Sequence, residues 1–213
     1  MKYKLLIFDM DGLMFDTELM YYRSWFEVAH KYGFTFNEDL RMRFTGKNEE
    51  LIRDELFKIL GSKEKVVKLR EELESFRKNY FKRYTNSLKK EGLEELLYYA
   101  KEHNIKCALA SSSDREKIEF LLEKEEIRDF FDYIISGDEV ERSKPDPEIF
   151  IKAKKHFNIR DKEALILEDS YNGYLACRKS NMDYLIIHDS SFDKYFEADR
   201  EASSLREVID YLK

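Results

Sequence analysis

Five short apolar runs, at residues 5–8, 105–110, 133–135, 164–167 and 184–187, have the length of buried strands. From Gly92 onward they alternate with segments whose apolar residues recur every three to four positions, at 93–103, 114–123, 147–157 and 171–179. A helix between two strands returns the chain to the edge it started from, so successive strands run the same way. The expected class is therefore α/β, a parallel sheet with helices on both faces. Asp146-Pro147 offers a helix start, and Ser204 with Glu207 a capping box for a last helix.

Between the first run and the others, only the helical period is present. Thr17 is expected to cap a helix reaching Gly33, a short helix follows Asn37, and a third spans 48–60. Val66, Leu69, Leu73, Phe76, Tyr80 and Tyr84 define one apolar face of a fourth. The chain thus divides into a core, residues 1–15 and 88–213, and an inserted helical bundle, residues 16–87.

The first run ends in Asp9-Met10-Asp11-Gly12. Residues two apart on an extended chain point the same way, so both carboxylates can face one reacting group, and Gly12 lets the backbone turn at once. One acid can attack while the other moves a proton. Their repulsion calls for a shared proton or a bound cation. The run at 164–167 ends in Glu168-Asp169-Ser170, and oxygen donors from two strand ends suit Mg²⁺, which keeps several waters. Phosphoryl transfer also needs hydrogen-bond donors around the phosphate and a fixed positive charge. Ser111-Ser112-Ser113 sits between a strand and a helix start, and Lys144 lies in Ser143-Lys144-Pro145-Asp146-Pro147.

These four segments, in this order, resemble the haloacid dehalogenase superfamily of phosphohydrolases, within it the branch that holds β-phosphoglucomutase and many small phosphatases. The signature Asp-x-Asp-Gly-x-x-x-Asp matches Asp9, Asp11, Gly12 and Asp16; the Ser/Thr motif matches Ser111, the Lys motif Lys144, and the acidic motif Glu168 and Asp169. The resemblance spans nearly the whole chain. It implies a Rossmann-like core, its first strand flanked by the strands bearing the Ser and acidic motifs, with an inserted α-helical cap. Asp9 would attack phosphorus to form an aspartyl-phosphate, and Asp11 would serve as acid and base. Ser111 and the Ser112 N–H would hold the phosphate, with Lys144 pairing both phosphate and Asp9. Mg²⁺ would be bound by Asp9, the Asp11 carbonyl and Asp169, Glu168 would contact a metal-bound water, and Asp16 would fix the hinge turn through backbone N–H groups.

The chain departs from the mutase pattern in the cap. Where β-phosphoglucomutases carry a His it has Tyr21, and in place of their Lys-Gly-x-x-Arg loop it has Thr45-Gly46-Lys47-Asn48-Glu49. Hydrolysis of a small phosphorylated metabolite, such as a sugar phosphate, is therefore expected ahead of a phosphosugar mutase, with Tyr21, Lys47 and Lys78 as candidate cap contacts. A phospho-receiver module would carry its acceptor on a middle strand, and a non-catalytic protein would not fill every required position.

The 213 residues carry a formal charge of −6, which disfavours nucleic acid as a partner. Tyr80 and Tyr84, in the mixed basic and aromatic segment 77–90, are assigned to the apolar face of the fourth helix. The sequence has no long uncharged apolar stretch and no charged-then-apolar leader, so no membrane span and a cytoplasmic location are expected. Cys107 and Cys177 have no metal-ligand spacing and are read as buried thiols. A monomer is the default expectation.

Overall fold

The computed structural model describes residues 2–44, 49–188 and 196–213, without the side chains at 18, 19, 42, 49 and 50. The chain forms two compact units, Met1–Asp16 with Ser87–Lys213, and Thr17–Asn86.

The second unit is helical: α1 (Glu18–Ala29), α2 (Glu38–Phe44), α3 (Glu49–Leu60) and α4 (Lys63–Arg83). Its core gathers Trp25, Val28, Phe36, Phe44, Leu56, Leu69 and Leu73. Trp25 stacks on Phe36 at 5.0 Å between ring centres and meets Phe44 edge-on at 5.2 Å. Asn37 Oδ1 accepts the Leu40 N–H at 3.0 Å and Ser62 Oγ accepts the Lys65 N–H at 3.3 Å, which start α2 and α4. Thr17 departs from expectation: it precedes α1 with a helical backbone (ψ −18°) and makes no side-chain cap bond, because a capping side chain reaches back only from an extended residue. The buried face of α4 also departs. It passes through Val66, Leu69 and Leu73 to Phe81, whereas Tyr80 is half-exposed and stacks between Phe76 and Tyr84.

The first unit is a sheet of β1 (Leu5–Phe8), β2 (Lys106–Ala110), β3 (Tyr133–Ile135), β4 (Ala164–Glu168), β5 (Asp183–Ile187) and β6 (Glu201–Ala202). The strand order is β3-β2-β1-β4-β5-β6, and every pair is parallel. The helices are α5 (Leu93–Glu102), α6 (Arg115–Lys124), α7 (Glu148–Phe157), α8 (Tyr171–Lys179) and α9 (Leu205–Leu212). All four residues of β1 are fully buried, as a strand covered on both faces must be. Phe150 and Ala153 of α7 and Ala176 and Cys177 of α8 pack with Leu5, Ile7, Ala108 and Ile166 in one core. Parallel strands bring all their carboxyl ends to one edge, and the order reverses direction at β1, so the segments after β1, β2 and β4 converge there.

Two expected caps are arranged differently. Asp146 does not occupy the capping position of α7, which falls on Pro147; its Oδ1 accepts the Glu148 N–H at 3.0 Å, forming a turn before the helix. Ser204 Oγ accepts the Glu207 N–H, but the Glu207 carboxylate reaches Ser203 N at 2.8 Å, one residue further back than a capping box requires. Among the described residues no helix is long and apolar enough to cross a membrane.

The amino end of β5 holds a buried charge. Asp183, 3% exposed, accepts from Lys2 Nζ at 2.7 Å, Arg200 Nη1 at 3.0 Å, Lys162 Nζ at 3.1 Å and the Tyr3 hydroxyl at 3.1 Å. Burial alone would raise its carboxyl pKa, but these donors outweigh it and hold the group well below the usual carboxylate range. The unfolded chain then takes up the proton first, so this stabilisation is complete above the unfolded-state pKa of about 4 and is lost as pH falls towards the folded value. Asp183→Asn is expected to cost about 2 kcal/mol at pH 7, with a smaller gap from wild type at pH 3. Urea unfolding at both pH values measures this, and a gap independent of pH would contradict it.

Candidate active site

The site grows from the carboxyl end of β1. The Asp9 N–H continues the ladder to the Leu167 carbonyl at 3.0 Å, leaving the side chain 9% exposed at the sheet edge. Gly12 then turns with φ +84°, and a Cβ there would lie 2.1 Å from Asp169 Oδ2. The missing side chain thus lets the Asp169 carboxylate rest against the loop that bears Asp9 and Asp11.

Lys144 enters the same edge with 6% of its side chain exposed. Its ammonium pairs with Asp9 Oδ1, with Glu168 Oε1 at 2.7 Å, and with the Ala110 carbonyl at 3.3 Å. Glu168 is fully buried, and its Oε2 accepts from Asp169 N at 2.8 Å, Ser170 N at 2.7 Å and Ser170 Oγ at 3.0 Å. Every charge in this array therefore has an opposite partner or directed donors, as burial demands. Burial pushes the Asp9 carboxyl up to about 7 against the pull of Lys144, with Glu168 and Asp11 adding to the rise. For Lys144, burial works against the charge, and Asp9 and Glu168 more than reverse it, so its pKa lies above the usual lysine value.

Beyond β2, Ser111 is 2% exposed, and its Oγ accepts the Ser113 N–H at 3.1 Å. The loop sits on the turn after β3, where Gly137 N donates to the Ser113 carbonyl at 2.9 Å and a Cβ on Gly137 would meet the Ser112 carbonyl at 2.3 Å. Ser113 Oγ donates to Asp11 Oδ2 at 2.7 Å. Lys117 Nζ reaches Asp11 Oδ1 at 2.7 Å, Asp11 Oδ2 at 2.9 Å and Ser113 Oγ at 2.9 Å. Sequence reasoning named Ser113 only as part of the Ser111-Ser112-Ser113 run and missed Lys117. The available signal was the Asp114 cap, which places Ser113 just before the helix and Lys117 in its first turn.

Asp9, Asp11, Ser111, Ser112, Lys144, Glu168 and Asp169 all belong to the sheet unit. Asp16 lies at its end: its N–H donates to the Leu88 carbonyl at 2.9 Å, while its Oδ1 is buried with no hydrogen-bond partner among the described residues, not seated on backbone N–H groups. In the helical unit, the Tyr21 ring lies 4.3 Å from the Arg77 guanidinium, whose Nε donates to the buried Ser24 hydroxyl at 2.9 Å. Lys78 is exposed on α4, and Lys47 falls outside the described residues. Burial raises both thiols, Cys107 to about 12, so neither is a nucleophile at neutral pH.

Among the described residues no group of three or more His, Cys, Asp or Glu side chains is gathered to hold a metal. Mg²⁺ does not require one, since it commonly takes one or two carboxylates and retains waters. Asp9, the Asp11 carbonyl and Asp169 are all oxygen donors, and the contact at Gly12 seats Asp169 against their loop, so the donor set fits that ion.

Gly173 tests whether Glu168 is fixed. A Cβ there would lie 1.8 Å from Glu168 Cδ. In a helix, Gly→Ala ordinarily gains about 1 kcal/mol, whereas overpacking costs about 1–3 kcal/mol. Gly173→Ala is expected to lower the thermal unfolding midpoint; a raised midpoint would show that Glu168 has room to move.

Comparison with known proteins identifies the family. A family model for haloacid dehalogenase-like hydrolases matches residues 6–187. A phosphorylated carbohydrates phosphatase of Thermotoga maritima is 33% identical over 189 residues, covering 85% of this chain and 84% of that protein. The β-phosphoglucomutase of Bacillus subtilis is 28% identical over 184 residues, covering 84% and 80%. The crystal structure of β-phosphoglucomutase from Clostridium difficile matches with a TM-score of 0.78 and 26% identity over 99% of this chain and 95% of that one. The chain belongs to the haloacid dehalogenase-like hydrolase family and is a phosphatase-type enzyme within it.

Proposed function

We propose that the enzyme is a Mg²⁺-dependent phosphohydrolase that acts on a small phosphorylated metabolite, of the sugar phosphate class, through an aspartyl-phosphate. The observation that carries this reading is the buried Asp9–Lys144–Glu168 array beside Asp11 and the Ser111 loop. An Asp9 oxygen attacks phosphorus, the bond from phosphorus to the ester oxygen breaks, and that oxygen takes a proton from Asp11 and departs as the alcohol. Water then attacks the same phosphorus while Asp11 takes its proton, which frees the Asp9 carboxylate and inorganic phosphate. Ser111, the Ser112 N–H and Lys144 hold the phosphoryl oxygens.

Asp9, the Asp11 carbonyl and Asp169 would hold Mg²⁺, which supplies positive charge to a phosphoryl oxygen. Glu168, with both oxygens engaged by Lys144 and the Asp169 and Ser170 amides, orients these groups from outside the direct ligands. The helical unit is proposed as the cap, with Tyr21, Lys47 and Lys78 as candidate contacts. The sugar phosphate class is supported by the phosphatase relative named for phosphorylated carbohydrates. Mutase activity is the alternative, since β-phosphoglucomutases are also among the relatives.

The test follows inorganic phosphate and sugar isomers by ³¹P NMR across a panel of sugar phosphates that includes β-glucose 1-phosphate with a trace of glucose 1,6-bisphosphate. Release of phosphate is expected; glucose 6-phosphate without matching phosphate would establish the mutase. Asp9→Asn should lower kcat by about 10⁴-fold or more, and retained turnover would remove Asp9 as nucleophile. Asp169→Ala should raise the Mg²⁺ needed for half-activation by at least about tenfold; an unchanged requirement would move the metal elsewhere.

A further inference from the structure

Lys117 stands where a helix does not favour a cation. Asp114 caps α6 by accepting the Lys117 N–H at 2.8 Å, which makes Lys117 the third residue of the first turn. The exposed N–H groups there carry partial positive charge, so acidic side chains are preferred and lysine is disfavoured. A local rule broken in this way marks a position held for another purpose. Helical side chains lean towards the amino end, and Lys117 leans over the start of α6 to Asp11. Its ammonium touches both carboxylate oxygens, at 2.7 and 2.9 Å, and the Ser113 hydroxyl at 2.9 Å; that hydroxyl donates to Asp11 Oδ2 at 2.7 Å. Only 16% of the Lys117 side chain and 27% of that of Asp11 are exposed.

We propose that Lys117, assisted by Ser113, is a positioning residue that fixes the direction of the Asp11 carboxylate for proton exchange with the leaving oxygen. The inference rests on the reading of Asp11 as acid and base. Charge-assisted bonds to both oxygens restrict rotation about the Cβ–Cγ bond, and a proton moves efficiently only when donor and acceptor are held within hydrogen-bond reach. Lys117 itself gives up no proton. It acts through Asp11, in a different place from Lys144, which pairs with Asp9 and Glu168.

The experiment compares kcat/KM for an alkyl phosphate and for p-nitrophenyl phosphate, since this ratio reports the steps up to phosphorylation of Asp9. An alkoxide needs a proton to leave, and nitrophenolate does not. Lys117→Met is expected to lower kcat/KM for the alkyl ester by about 100-fold, the low end of a lost acid-base contribution, and for the aryl ester by less than about threefold. Lys117→Arg should restore part of the difference, because guanidinium can also span both oxygens. An equal fall for the two esters, or no fall, would overturn the proposal. Lys117→Gln carries the same comparison in case Lys117→Met does not fold. Asp11→Asn separates the two levels: if it fails to discriminate between the esters, the acid assignment of Asp11 is wrong. If Asp11→Asn discriminates and the Lys117 variants do not, only the positioning role is wrong.

Discussion

Lys144 carries an ammonium into a place where water hydrates it very little, with 6% of its side chain exposed. Taking an ion out of water costs several kcal/mol even after the surroundings relax, so the fold has to supply counter-charges at fixed points. It does this with carboxylates from two neighbouring parallel strands. The pairing of Phe8 with Leu167 sets Asp9, one residue further on, beside Glu168. Two carboxylates so close repel each other, and the lysine between them turns that repulsion into attraction. A one-residue slip of β4 would send Glu168 to the opposite face of the sheet. The same balance explains why Gly173 carries no side chain and why the Asp169 and Ser170 amides point at Glu168.

Much of this could be read before any coordinates. Leu5 to Phe8 form an unbroken apolar run because both faces of a central parallel strand are covered, and the strand order on either side of β1 is as the family resemblance implied. Asp9, Asp11, Ser111, Lys144, Glu168 and Asp169 stood out because each follows a strand or sits in a turn with the right functional group. Lys117 did not, since one among 38 Lys and Arg residues gains meaning only when the phase of α6 is known. The same holds for Phe81, which takes the buried place read for Tyr80 and Tyr84, both of which could satisfy an apolar face by spacing. β6 has two residues and no periodicity to detect; its existence depends on pairing with β5.

The two units are built on different interactions. All the groups assigned to bond making and breaking lie on the sheet unit, where backbone register and buried charge hold them in place. The helical unit has an aromatic core, and within the unit Arg77 contacts both the Tyr21 ring and the Ser24 hydroxyl.

The stereochemical course at phosphorus tests the central claim most directly, because it needs no substitution that might disturb the buried charges. A phosphorothioate substrate made chiral at phosphorus with oxygen isotopes is hydrolysed by the wild-type enzyme in water labelled with the third isotope, and the configuration of the released thiophosphate is determined. Attack by Asp9 and then by water inverts phosphorus twice, so the account predicts net retention. Net inversion would mean that water attacks the substrate directly and that Asp9 is not the nucleophile.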